Sequence, residues 1–199
     1  MEVPFRIGPH AAHEAALVCE EAFRGSALTE YLFPGSLPQE SGVIAMFEFI
    51  VKYATLNAEV YATSANLEGI ASWYSEKSAR LSLPGFLRAG SLGLIVRHRA
   101  ALQRLMGTET YLKGARERHL KGRYYYLDVL AVRPGLQGKG YGGTLLRHLL
   151  AVATGEHAPC FLETFTEGNV AMYEHFGFRV VETSRIPGMS AAVHFMART

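Results

Sequence analysis

The sequence predicts an α/β fold organised around one strand–turn–helix junction. Three observations predict it. Tyr124 to Val132 is a run of aromatic and β-branched types that stops at Arg133-Pro134-Gly135, which reads as a strand and a breaker. From Tyr141 onward, apolar residues recur at Leu145, Leu149, Val152 and Ala153, flanked by Leu146 and Leu150, which is the buried stripe of a helix. Between the two lies Gln137-Gly138-Lys139-Gly140-Tyr141-Gly142, whose glycines leave the backbone bare and open to positive φ.

The junction has a chemical consequence. The first amides of any helix lack internal partners, and the positive end of the helix dipole lies behind them. A bare loop at that point is an anion site, best suited to phosphate. Two better-known phosphate loops are excluded. Lys139 is followed by Gly140 where a Walker loop needs Ser or Thr. The glycines after Gly140 sit at Gly142 and Gly143, and no acidic residue closes the next strand as a dinucleotide fold requires.

Composition bounds the rest. A chain of 199 residues, 49% hydrophobic and 19% charged, suits one packed domain spanning 1–199. A formal charge of +2 is too mild to suggest a nucleic-acid partner. Cys19 and Cys160 read as buried thiols and not as a disulfide, which suits a cytoplasmic setting. No signal peptide or membrane span is expected, since the most apolar run, Val43 to Val51, is short and holds Glu48. His10 and His13 lack the Cys or carboxylate company of a metal site, so no metal is expected.

In chain order, Val3 to Ile7 is a short strand and Ala11 to Phe23 a helix. A loop over Gly25 to Pro38 holds one helical turn near Thr29 to Phe33. Gln39 to Asn57 repeats apolar residues at helical spacing, from Val43 to Ala54. Glu59 to Thr63 and Gly69 to Tyr74 form a hairpin around Ser64-Ala65-Asn66. The region 81–120 reads as helical, with Gly90 and Gly93 as weak points and a second helix over Glu109 to His119. Its Arg97, His98, Arg99, Arg104, Arg116 and Arg118 suggest a solvated basic face. A stretch this long between two strands also suggests a lid or wall over a pocket. Pro159 to Thr164 is the next strand, Val170 to His175 the next helix, and Val180 to Thr183 with Val193 to Ala197 close the sheet.

Four elements of the C-terminal third carry a family resemblance. Gln137 to Gly142 resembles the Q/R-x-x-G-x-G/A signature of the GNAT N-acetyltransferases, and Leu130-Ala131-Val132-Arg133-Pro134 resembles the strand before it. Leu162-Glu163-Thr164 with Asn169, and Tyr173-Glu174-His175-Phe176-Gly177-Phe178, are similar to the family's later elements. Within that family, these elements resemble the puromycin N-acetyltransferase-like subgroup. The resemblance implies a mixed, mostly antiparallel twisted sheet, splayed at its central strands and flanked by helices, with 81–120 as an insertion.

It also implies acetyl-CoA as cosubstrate. Gln137, Gly138, Lys139, Gly140, Tyr141 and Gly142 would hold the pyrophosphate, and Leu130, Ala131 and Val132 the pantetheine arm. Asn169 would touch the cofactor or cap the following helix. Tyr173 matches the tyrosine that protonates the leaving sulfur. Phe23, Tyr31, Phe33, Trp73 and Tyr74 fall where acceptor pockets lie in the family. For the base, Glu163 ranks ahead of Asp128, with a water relay also open. Strand alternation places Asp128 on the face of Tyr126 and Leu130.

The expected reaction is acetyl transfer to a primary amine of a small molecule within a ternary complex, by a monomer or homodimer. Two alternatives stand beside it: a non-catalytic acyl-CoA-binding module, and a protein or peptide N-acetyltransferase.

Overall fold

A computed structural model describes residues 3–34, 40–78 and 83–199. The predicted helix start at Gln39, the loop at 35–38 and the insertion's first residues, 81–82, lie outside the described residues. The elements are β1 (Phe5–Arg6), α1 (Ala12–Phe23), α2 (Ala27–Leu32), α3 (Glu40–Asn57), β2 (Glu59–Ala62) and β3 (Gly69–Ser75). They continue with α4 (Leu83–Arg88), α5 (Ser91–Arg97), α6 (Arg99–His119), β4 (Tyr125–Val132) and α7 (Tyr141–Gly155). Last come β5 (Cys160–Thr164), α8 (Glu167–His175), β6 (Arg179–Ser184) and β7 (Val193–Arg198).

The strands form one sheet in the order β1-β2-β3-β4-β5-β7-β6. Every pairing is antiparallel except β4 with β5. This is the α/β architecture with a mixed, mostly antiparallel sheet that the sequence predicts. The first strand is shorter than predicted, and the helix after β5 starts earlier, at Glu167.

Apolar residues on the two faces of the sheet form two cores. One holds Val60, Ile70, Tyr126, Val129 and Phe161 against α1, α3 and α6. The other holds Ala71, Trp73, Leu127 and Leu162 against α7 and Tyr173 of α8. Leu145, Leu146, Leu149 and Leu150 anchor α7 there. Each fully buried leucine contributes about 1.5–3 kcal/mol, which fixes the angle at which the start of α7 meets the end of β4. Cys19 and Cys160 are free and buried, as expected.

The insertion differs from its sequence reading. Gly90, at φ +92°, ends α4 and precedes α5, so the first apolar run is not one helix. The predicted Glu109 to His119 helix is the second half of α6, which begins at Arg99. Gly107 and Gly114 each weaken it by about 1 kcal/mol relative to Ala, but burial of Ala101, Leu102, Leu112 and Ala115 outweighs that.

Two irregularities shape the centre of the sheet. The β3–β4 register jumps between Ser72↔Val129 and Trp73↔Leu127, so Asp128 is a surplus residue in a bulge. Tyr126, Asp128 and Val129 consequently share one face, and Leu130 turns to the other, among the α7 residues. Strict alternation, which grouped Asp128 with Leu130, fails here for that reason. The second irregularity is a short ladder. β4 and β5 pair only from Tyr125↔Cys160 to Leu127↔Leu162. Beyond these pairs the strands splay, as the family resemblance implies.

Candidate active site

The splay opens a cavity of about 150 Å³. Asp128, Val129 and Leu130 of β4 line one side, and Glu163 and Thr164 of β5 the other. Asn169 and Tyr173 reach it from α8. A second cavity of about 120 Å³ lies between α3, α4 and α6 and shares Glu109, Tyr126 and Asp128 with the first. The structure therefore brings Asp128, Leu130, Glu163, Asn169 and Tyr173 to one opening.

At the mouth of α7, Gly138 and Gly140 take φ of +75° and +90°. A Cβ on Gly138 would meet nothing within 4 Å, whereas Gly142 lies 3.5 Å from Val132 and 3.9 Å from Leu130 when given one. Gly138, Lys139 and Gly140 are exposed, with Tyr141 and Gly142 half-buried. Gln137 donates its side-chain amide to the Val132 carbonyl at 3.2 Å and its backbone N–H to Pro134. Its groups thus hold the loop on the strand end. Ala131, by contrast, points into the core of the opposite face.

A buried charge cluster forms the inner wall. Arg116, at 6% exposure, is not part of a solvated face as the sequence suggests. Its guanidinium lies 4.2 Å over the Tyr126 ring and 3.6 Å from Glu163, and it donates to Glu109. The Tyr126 hydroxyl donates to Glu163, and the Ser72 hydroxyl donates to Asp128 at 3.3 Å. One guanidinium thus pairs with two carboxylates and leaves Asp128, the third, to Ser72.

Their acidities follow from that imbalance. Burial pushes Glu163 up to about 8, opposed by Arg116 and the Tyr126 hydroxyl. Burial, then the nearby Glu109, push Asp128 up to about 6, opposed by Arg116 and Ser72. Burial lowers the pKa of Arg116, but Tyr126, Glu163 and Glu109 more than reverse it, so it stays charged. Burial, with Glu163, holds the Tyr173 phenol above its ordinary range, so it keeps its proton at neutral pH. Arg116 Nη1 and Glu163 Oε2 are buried without a hydrogen-bond partner among the described residues.

Other expected positions separate. Tyr74 lines the second cavity, but Trp73 is buried on the α7 side, stacked 4.7 Å from Tyr61. Phe23 lines the first cavity. Phe33 instead meets His98 edge-on, and Tyr31 packs beside Gly188. Asn169 does not cap α8; Thr166 holds that position, and Asn169 reaches back to the Thr164 hydroxyl at 3.5 Å.

Sequence reasoning missed Arg116, Glu109, Tyr126 and Ser72 as site residues. A signal existed for two of them. Glu109 and Arg116 lie seven apart, on either side of Leu112, and so on one face of a helix whose apolar stripe is buried.

Among the described residues, no helix is long and apolar enough to cross a membrane. No group of three metal-ligating side chains is placed to hold a metal ion among them.

Known proteins share this architecture. An acetyltransferase from Corynebacterium glutamicum, described as histone acetyltransferase HPA2 and related, superposes with a TM-score of 0.67 at 17% identity, over 99% of this chain and 96% of that one. The C-terminal condensation domain of Ebony, solved with beta-alanyl-dopamine, gives 0.68 at 11% identity, over 98% and 97%. A mosquito arylalkylamine N-acetyltransferase like 5b gives 0.56 at 13%, over 98% of each chain. At such identities the likeness is one of fold. No curated protein matches by sequence. The model of the acetyltransferase (GNAT) family matches residues 68–178, which span more than half of the chain and include the glycine loop, β4, β5 and α8. The chain therefore belongs to the GNAT acetyltransferase family.

Proposed function

We propose that this chain moves an acetyl group from acetyl-CoA to a primary amine of a small molecule, by direct attack in a ternary complex. The observation that carries the proposal is the opening between β4 and β5, with the glycine loop on one side and a carboxylate-floored cavity on the other. All of 1–199 acts as one domain, because β1 and β7 belong to the same sheet. Buried free thiols suit a cytoplasmic setting. The similarity to puromycin N-acetyltransferases enters only for the cofactor half, since it lies in residues that do not line the second cavity's α3 and α4 walls.

Gly138, Lys139, Gly140, Tyr141 and Gly142 would hold the pyrophosphate through first-turn amides of α7, with Gln137 bracing the loop. Leu130 and Val132 face the α7 side and would flank the pantetheine arm together with the backbone of Ala131 and the Asn169 side chain. A β4 amide released by the splay would receive the thioester oxygen as it gains charge.

The amine must lose a proton, bond to the carbonyl carbon and expel the thiolate. Asp128 is the better placed base. It faces both cavities, whereas Glu163 lines one and is already held by Tyr126 and Arg116. Its acidity near 6 leaves it ionised at neutral pH and close to the optimum for proton transfer. Glu163 then keeps Arg116 and Tyr126 in place. Tyr173 gives a proton to the sulfur and is restored by the second proton that the nitrogen sheds, Asp128 passing the first to solvent, which leaves amide and free thiol.

Titration of acetyl-CoA into the protein by calorimetry tests the reading, and absence of binding at millimolar cofactor would end it. Tyr173→Phe should retain that binding and lower kcat about 10²-fold. Equal turnover would remove Tyr173 from the chemistry. Gly140→Val should raise the acetyl-CoA KM about tenfold, since φ +90° costs an L side chain about 1–2 kcal/mol. An unchanged KM would show that the loop is not the phosphate cradle.

A further inference from the structure

Building on the acetyl-transfer reading, we infer that the acceptor is a primary amine borne on a single aromatic ring. The ring occupies the cavity behind Asp128, and the ammonium sits between Asp128 and Glu109.

The lining carries the inference. Phe49, Tyr53, Tyr74 and Phe86 form the outer wall, and Asp128 and Glu109 are the acids of the inner end. Phe49 meets Phe86 edge-on at 4.9 Å and 74°, an arrangement that leaves ring faces and edges for a third aromatic partner. Beyond the hydroxyls of Tyr53, Tyr74, Tyr126 and Ser78, the polar lining is Glu109, Arg116 and Asp128, so a long polyamine or an extended peptide would leave donors unpaired against rings. The inner end favours a cation, because the one guanidinium there is already engaged with Glu109, Glu163 and the Tyr126 ring.

Size narrows the class further. The cavity is about 120 Å³. An apolar cavity of about 150 Å³ accepts one benzene. The volume is therefore on the scale of a single ring. The walls come from α3, β3, β4 and the inserted α4 and α6, so the insertion builds the acceptor site.

Thiol release at saturating acetyl-CoA, measured with 2-phenylethylamine, propylamine and an alanine-initiated tripeptide, decides the matter. Burying one ring should give 2-phenylethylamine a kcat/KM about a hundredfold above propylamine. Phe86→Ala should reduce that advantage about tenfold, and Phe86→Leu should keep part of it. Thiol release from propylamine or the peptide at equal or better efficiency would overturn the ring pocket and leave acetyl transfer standing. A Phe86→Ala protein with the full advantage would also overturn it. Failure of all three amines together with failure to bind acetyl-CoA would instead sink the reaction itself. Should Phe86→Ala not fold, the wild-type comparison alone still decides.

Discussion

Asp128→Asn is expected to lower kcat/KM by about 10²–10⁴-fold, the usual weight of a general base. In the wild-type enzyme, kcat/KM should fall as pH drops below about 6, where Asp128 takes up its proton. The variant should lose that acid limb. If Glu163 were the base, the limb would lie near 8 and Glu163→Gln would carry the large loss. A pH profile of both variants separates the two.

The same substitution should stabilise the fold. The folded protein holds the Asp128 proton up to about 6, against 3.8 for an ordinary aspartate. Ionisation therefore penalises the native state progressively from pH 3.8 to about 6, and fully above that. Stability due to this group is present at low pH and lost as pH rises. Asparagine cannot ionise and can still accept from Ser72. At pH 7 the variant should gain roughly 3 kcal/mol, vanishing near pH 3, as read by thermal unfolding. A variant that loses both activity and stability would mean that Asp128 is structural.

Arg116→Met should destabilise the protein by about 3–5 kcal/mol at pH 8, the usual loss when one partner of a buried ion pair is removed. Glu109 and Glu163 would then face each other across Tyr126 without a cation. Glu163 would move further above its present value of about 8. The part of the deficit due to Glu163 should shrink as pH falls below about 8, where its carboxyl keeps its proton with or without Arg116. Urea unfolding across pH measures it. Adding Glu163→Gln to Arg116→Met should recover part of the loss. A deficit under about 1 kcal/mol at pH 8 would contradict a buried guanidinium.

What the sequence revealed depended on range. The glycine loop, β4 and α7 are encoded by contiguous residues with strong turn and periodic signals, and the structure has them within a residue or two. The hairpin of β2 and β3 was legible for the same reason. The charge cluster was not. It joins α6, β4 and β5, and Arg116 looks in the sequence like one more cation in a basic run. Trp73 and Tyr74 could not be told apart without knowing which layer each face meets. Asp128 and Leu130 were paired wrongly because no residue type announces a bulge.

That bulge sets the phase of everything after it. With one residue more in β4 than in β3, Leu130 and Val132 come round to meet the start of α7, and Ala131 is left small beneath the other layer. Removing a single residue there would rotate the strand's last turn of pleat by half a period. The leucine and alanine would exchange layers, and the loop that follows would leave the strand from its opposite side. A strand of this kind tolerates substitution far better than a change in length.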